Sequence, residues 1–174
     1  MRSKKILFIG DSLTEFFDWQ RRFPGHEVIN LGAAGETVEG LLSRTDRITK
    51  LTPSPDVVFL MTGINNVAME DYDFLDSYRK IVERISSAFP DARLFIQSIL
   101  PALIPWISGE SIQMLNRSLQ EIAEKTGKEY LDVYSLFIGP EGAGVRDYFL
   151  PDGVHLSDAG YAAWSKALER LINT

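Results

Sequence analysis

Ile6-Leu7-Phe8-Ile9-Gly10-Asp11-Ser12 joins four consecutive apolar residues to a small, polar turn. A run that is apolar at every position, rather than at every second one, is the pattern of a strand covered on both faces, as in a parallel sheet. The same reading applies to Val57–Met61 and Leu94–Ile99, and more loosely to Val28–Leu31 and Tyr130–Val133. Between these runs lie Thr37–Leu51, Asp73–Ala88 and Ser111–Thr126, whose apolar positions recur three and four apart. Ile81, Ile85 and Phe89 form one stripe; Leu115, Leu119 and Ile122 form another. A last helix is predicted from Ser157 or Asp158 to Ile172, with Ser157 as its cap and Tyr161, Trp164, Leu168 and Ile172 on its buried face.

Strands alternating with helices imply right-handed crossovers and an α/β fold: a three-layer α/β/α sandwich around a five-stranded parallel sheet. Gly127 is placed to end the third long helix. Pro101–Gly109 and Gly139–Gly144 read as loops. With no repeat, low-complexity tract or linker, residues 1–174 are expected to form one domain.

Composition excludes several function classes. The net charge of -6 argues against nucleic acid as a partner, since phosphate binding needs clustered Lys and Arg. The absence of cysteine removes disulfides, thiolate chemistry and cysteine metal sites. Met1-Arg2-Ser3-Lys4-Lys5 followed by Ile6–Ile9 has a basic start but too short an apolar run for a signal peptide, and no stretch is long enough to span a membrane. A cytoplasmic location is the expectation. Lys4-Lys5 and Arg21-Arg22 read as solvated charge, and His26 as a surface residue.

Ligands in such sheets bind beyond the carboxyl ends of the strands. Four segments there carry small or polar residues: Gly10-Asp11-Ser12-Leu13-Thr14, Asn30–Thr37, Thr62-Gly63-Ile64-Asn65-Asn66, and Asp152-Gly153-Val154-His155-Leu156-Ser157. Each has an ordinary structural reading on its own. Ser12 caps a helix, Gly32 and Gly35 make turns or close packing, the two asparagines and Asp152-Gly153 are turn residues, and a lone histidine is more often structural than catalytic. Together they supply what hydrolysis by serine requires. Ser12 is a nucleophile, His155 a base, and Asp152, three residues earlier, an acid that orients the base. Oxyanion donors are available in the backbone N–H of Ser12, the backbone N–H of Gly35 and the amide of Asn65.

These four segments resemble the signature blocks of the SGNH, or GDSL-type, hydrolases, in that family's order and over residues 6–172. The resemblance implies a flavodoxin-like fold, no metal or organic cofactor, and Ser12, Asp152 and His155 as the triad. Ser12, Gly35 and Asn65 would then be the oxyanion hole. It favours Gly35 over Gly32, because the family's functional glycine precedes an acidic residue and Thr, here Glu36-Thr37. The third block departs from the common Gly-x-Asn-Asp: Gly63-Ile64-Asn65-Asn66 keeps the donor asparagine and alters the scaffold beside it. In this form it is similar to the catalytic subunits of intracellular platelet-activating-factor acetylhydrolases.

The apolar, branched Leu13, Ile64 and Val154 flank the catalytic residues and suggest a small acyl group such as acetyl. Trp106, with Leu103, Ile104 and Ile107, reads as a wall of the leaving-group side, a lid, or the face of a homodimer. Phe16, Phe17 and Trp19 are expected to pack in a first helix. The expected partner is a small-molecule ester. Two alternatives remain from sequence: a binding module for acylated carbohydrate or lipid on the same fold, and a flavodoxin-like nucleotide or flavin binder. Against the second, Asp11 and Glu15 put negative charge where phosphate would sit.

Overall fold

Ile6 to Ile9 are fully buried in the computed structural model, which describes residues 2–173. They lie in β1 (Lys5–Gly10), which pairs in parallel with β2 (Glu27–Gly32) on one side and β3 (Val57–Met61) on the other. β4 (Arg93–Gln97) and β5 (Glu129–Leu131) complete a parallel sheet ordered β2-β1-β3-β4-β5. The chain leaves β1 in one direction to form β2, then travels in the other direction through β3, β4 and β5. Right-handed crossovers therefore send the intervening helices to opposite faces. Helices α3 (Val38–Leu51), α5 (Leu75–Ala88) and α6 (Gly109–Thr126) form one layer, where α3 packs on α5 and α5 on α6. The other layer holds α2 (Trp19–Arg22) and α7 (Asp158–Ile172), which meet through Trp19 and Trp164 with ring centroids 4.9 Å apart.

Side chains alternate across a strand, so Phe8, Phe59 and Phe95 all point towards this second layer. They stack across the sheet at 5.3 and 5.2 Å, and Trp19 stacks on Phe8 at 4.1 Å. Tyr161 donates its hydroxyl proton to the Leu13 carbonyl at 2.9 Å. The basic pairs near the start of the chain are not simply solvated. Lys4 Nζ donates to the Ile172 carbonyl at 2.6 Å, and Arg22 grips Glu169 at 2.8 Å and Ser165 at 2.9 Å. His26 is half-buried, its Nδ1 accepting the Lys4 N–H at 3.1 Å.

Helix ends follow their caps. Thr37 Oγ1 accepts the Gly40 N–H, so α3 begins at Val38; Ser157 does the same for Gly160 and starts α7 at Asp158. Ser108 caps α6, which therefore begins two residues before the expected Ser111. Gly127 ends it in the left-handed conformation, at φ +65°. The first helix expected around Phe16, Phe17 and Trp19 is instead two one-turn helices, α1 (Ser12–Glu15) and α2, with residues 16–18 between them, and the one-turn α4 (Ile64–Ala68) has no counterpart in the sequence reading. They are too short to display a period. Strands β4 and β5 stop at Gln97 and Leu131, short of the expected Ile99 and Val133. Among the described residues, no helix is long and apolar enough to cross a membrane.

Candidate active site

In a sheet of this order the crevice opens where β1 and β3 send the chain opposite ways. Gly10 ends β1 there, and the Asp11 carboxylate accepts the Leu13 N–H at 3.0 Å, capping α1. Ser12 is thus not the cap but the first helical residue, where its own N–H has no intrahelical acceptor. Its Oγ lies 3.0 Å from His155 Nε2, and His155 Nδ1 lies 2.7 Å from Asp152 Oδ2. Burial acts to raise the Asp152 pKa, but the hydrogen bond from the His155 ring and those from the backbone N–H of Val154 and His155 outweigh it, leaving it below the ordinary value. An ionised carboxylate only accepts, so Nδ1 carries the ring proton and Nε2 is left to accept from the Ser12 hydroxyl.

The three residues expected to supply oxyanion donors, Ser12, Gly35 and Asn65, line one cleft. Asn65 follows Gly63, whose φ of +124° turns the chain from β3 into α4. One hydrogen of its amide is donated to the Glu36 carbonyl at 2.9 Å, which fixes the side chain and leaves the second hydrogen for the cleft. Gly35 sits at φ +75° beside it. Gly32 has a different role: its N–H is taken by Asn30 Oδ1 at 3.0 Å, and a Cβ there would stand 2.3 Å from the Glu15 backbone nitrogen. It permits close packing.

A cleft of about 430 Å³ opens on Ser12, His155, Gly35 and Asn65. Its apolar wall is formed by Ile64, Val154, Phe16, Ala68 and Ile104. Two of the four expected substrate contacts, Ile64 and Val154, are among these. Leu13 is 1% exposed in the core, and Trp106, 62% exposed, lies outside the lining, where Ile104 stands instead. Phe16 is 59% exposed with its ring 5.4 Å from that of His155, so it faces the site, while Phe17 packs inward on Tyr161. A second cleft of about 640 Å³ begins on the far side of Phe16 and His155, bounded by Leu150, Leu156 and Tyr161. Ser12 and Phe16 are four residues apart, as are Ile64 and Ala68, and that spacing places each pair on one helix face. Another hollow, between α6 and β5 and lined by Gln113, Arg117, Tyr130 and Asp132, is not lined by Ser12 and contains no histidine. Among the described residues, no group of three His, Asp or Glu side chains is arranged to hold a metal ion.

The departure at Asn66 has a clear structural reason. Its side chain is fully buried: Oδ1 accepts the Val38 N–H, and Nδ2 donates to both Glu39 and Asp71, all at 2.9 Å. An aspartate here would face two carboxylates with no proton to share. Asn66→Asp is expected to lower the unfolding free energy at pH 7 by about 2–4 kcal/mol, measured by urea denaturation. Unchanged stability would contradict this account of the substitution.

The family described as GDSL-like lipase/acylhydrolase matches residues 8–163. Platelet-activating factor acetylhydrolase IB subunit alpha2 of Rattus norvegicus is 27% identical over 177 residues, covering 96% of this chain and 75% of that protein. A solved protein from Streptococcus pneumonia bearing the platelet-activating-factor name superposes with a TM-score of 0.87 at 29% identity, over 97% of this chain and 84% of its own. A GDSL-like lipase from Bacteroides thetaiotaomicron gives 0.78 at 25% identity, over 98% and 88%.

Proposed function

Since the chain belongs to the GDSL-like lipase/acylhydrolase family and is a carboxylic ester hydrolase, we propose that it cleaves small-acyl esters, acetyl above all, through Ser12, His155 and Asp152. Ser12 Oγ attacks the ester carbonyl as its proton passes to His155 Nε2, and Asp152 holds the imidazolium that results. The tetrahedral oxyanion is received by the N–H groups of Ser12 and Gly35 and by the Asn65 amide. Each such donor contributes roughly 10²–10³ in rate, because it is aimed at charge that appears only in the transition state. His155 then returns the proton to the leaving alcohol, and a water molecule repeats the sequence on the acyl-enzyme. The observation that carries this reading is the pair of contacts at 3.0 and 2.7 Å joining Ser12, His155 and Asp152.

Acyl size follows from the wall of the smaller cleft. Ile64, Val154 and Ile104 give the cleft beside Ser12 and Asn65 a branched, apolar wall, which suits a short acyl chain. The word acetylhydrolase in the names of the curated relatives supports the same choice. With p-nitrophenyl esters from C2 to C12, kcat/KM is expected to peak at acetate and to fall by about tenfold or more at C8, since each methylene the wall rejects costs roughly 1–3 kcal/mol. A maximum at C8 or beyond would remove the acetyl assignment. Failure to cleave any ester would remove the triad with it.

A further inference from the structure

The short segment carrying Gly35 is gripped from three sides by groups with no part in the bond-making steps. The carboxylate of Glu15 accepts the Ala34 N–H at 2.5 Å. Asn65 holds the Glu36 carbonyl at 2.9 Å. Arg44, nearly two turns into α3, reaches back to the Glu36 carboxylate with Nε on Oε1 at 2.5 Å and Nη2 on Oε2 at 2.6 Å. The same Nη2 donates to the Leu31 carbonyl at 2.8 Å, tying the loop to the end of β2. This is a shielded pair: the Glu36 side chain is 11% exposed and that of Arg44 26%.

Two physical consequences follow from its position. A glycine at φ +75° gives its N–H no fixed direction by itself, so the neighbours must supply it. The fork of Arg44 does so through the adjacent residue, with the bidentate geometry that holds a carboxylate in both distance and plane. The second consequence is electrostatic. The Glu36 carboxylate is near enough to the nucleophile's turn that, after burial itself, its charge helps to push the Asp11 carboxyl up. An uncompensated carboxylate at that place would oppose the negative charge that develops on the substrate oxygen.

We infer that the Glu36–Arg44 pair is a positioning device for the oxyanion hole: Arg44 holds the Gly35 N–H in register through Glu36 and cancels a carboxylate that would otherwise repel the oxyanion. The inference rests on the Ser12 mechanism proposed above. Its test compares the parent with Arg44→Met, Glu36→Gln/Arg44→Met and Ser12→Ala in steady-state hydrolysis of p-nitrophenyl acetate, each checked for folding by circular dichroism. Arg44→Met is expected to lower kcat by roughly 10–100-fold with KM within about threefold, the signature of a loss felt only in the transition state. The double variant, free of the unpaired carboxylate, is expected to recover about tenfold of that loss. A merely structural arginine would show no such rescue.

Arg44→Met within twofold of the parent in kcat, or a double variant no better than the single, would overturn the inference. If Arg44→Met fails to fold, the double variant decides: a kcat lowered by roughly 3–30-fold with KM within about threefold supports the pair, and a kcat within twofold of the parent overturns it. Activity in Ser12→Ala above about 1% of the parent would instead overturn the mechanism beneath it.

Discussion

Ser12→Ala is expected to lower kcat for p-nitrophenyl acetate by about 10⁴-fold or more while leaving the thermal midpoint nearly unchanged. The size of the effect reflects how the parts are joined. Ser12 Oγ and His155 Nε2 are 3.0 Å apart, and neither has chemistry to perform without the other. His155→Ala should therefore cost about as much, and the double variant should be scarcely slower than either single one. Residues that act as a unit lose their contribution once, not twice. What remains should be the slow reaction supported by the N–H groups and the Asn65 amide alone. Stability should hold because the hydroxyl sits at a cleft, outside the packed aromatic core. A Ser12→Ala protein retaining more than about 1% of the parent rate would assign the nucleophile elsewhere.

The largest stability effect is expected one residue earlier. Asp11 is 1% exposed; Oδ1 accepts the Leu13 N–H at 3.0 Å, and Oδ2 is buried with no hydrogen-bond partner among the described residues. Burial pushes its pKa from 3.8 up to about 7, against the opposing pull of the Leu13 N–H and of His155. Between these two values the folded chain keeps a proton that the unfolded chain has already lost, so stability falls as pH rises through that window. The gap spans about three pH units at roughly 1.4 kcal/mol each, or on the order of 4 kcal/mol by pH 8. Asn caps a helix as well as Asp does and does not titrate. Asp11→Asn should thus gain on the parent steadily from pH 4 to 7 and hold its advantage above. Urea denaturation at pH 5 and pH 8 measures this directly. Parallel stability curves for the two proteins would show that Asp11 is ionised throughout.

Most of the architecture was legible because it depends on long averages. Ile6–Ile9 of β1 and all of β3 are apolar, and the buried stripes of α5, α6 and α7 recur over three or four turns, so single errors do not matter. Ser12, His155, Asp152 and Asn65 could be picked out for another reason: their residue types match the parts one reaction requires, and they stand at strand ends or in the loop before the last helix. The side chains that line the cleft depend instead on rotation within a single helical turn. Leu13 adjoins Ser12 in sequence, but one step around a helix is about 100°, which carries it into the core, while Phe16, four residues on, returns to the face of Ser12. The spacing was present in the sequence; what was missing was where the first helix begins, since Ser12 reads as its cap rather than as its first residue. Trp106 and Ile104 differ for a similar reason. In a loop without period, no pattern tells which of two apolar residues turns inward.

The order in which the chain is made gives the contact between Ser12 and His155 a further meaning. The two lie 143 residues apart, the first in the opening turn after β1 and the second just before the closing helix. Through most of its synthesis, a growing chain carries its reactive hydroxyl without the base that would awaken it. Docking of α7, with its carbonyl at Ile172 meeting Lys4 and its Glu169 meeting Arg22, fastens the segment after His155 to the segment around Ser12. Turnover of an ester through the proposed triad would therefore report that the segments carrying Ser12 and His155 have found each other.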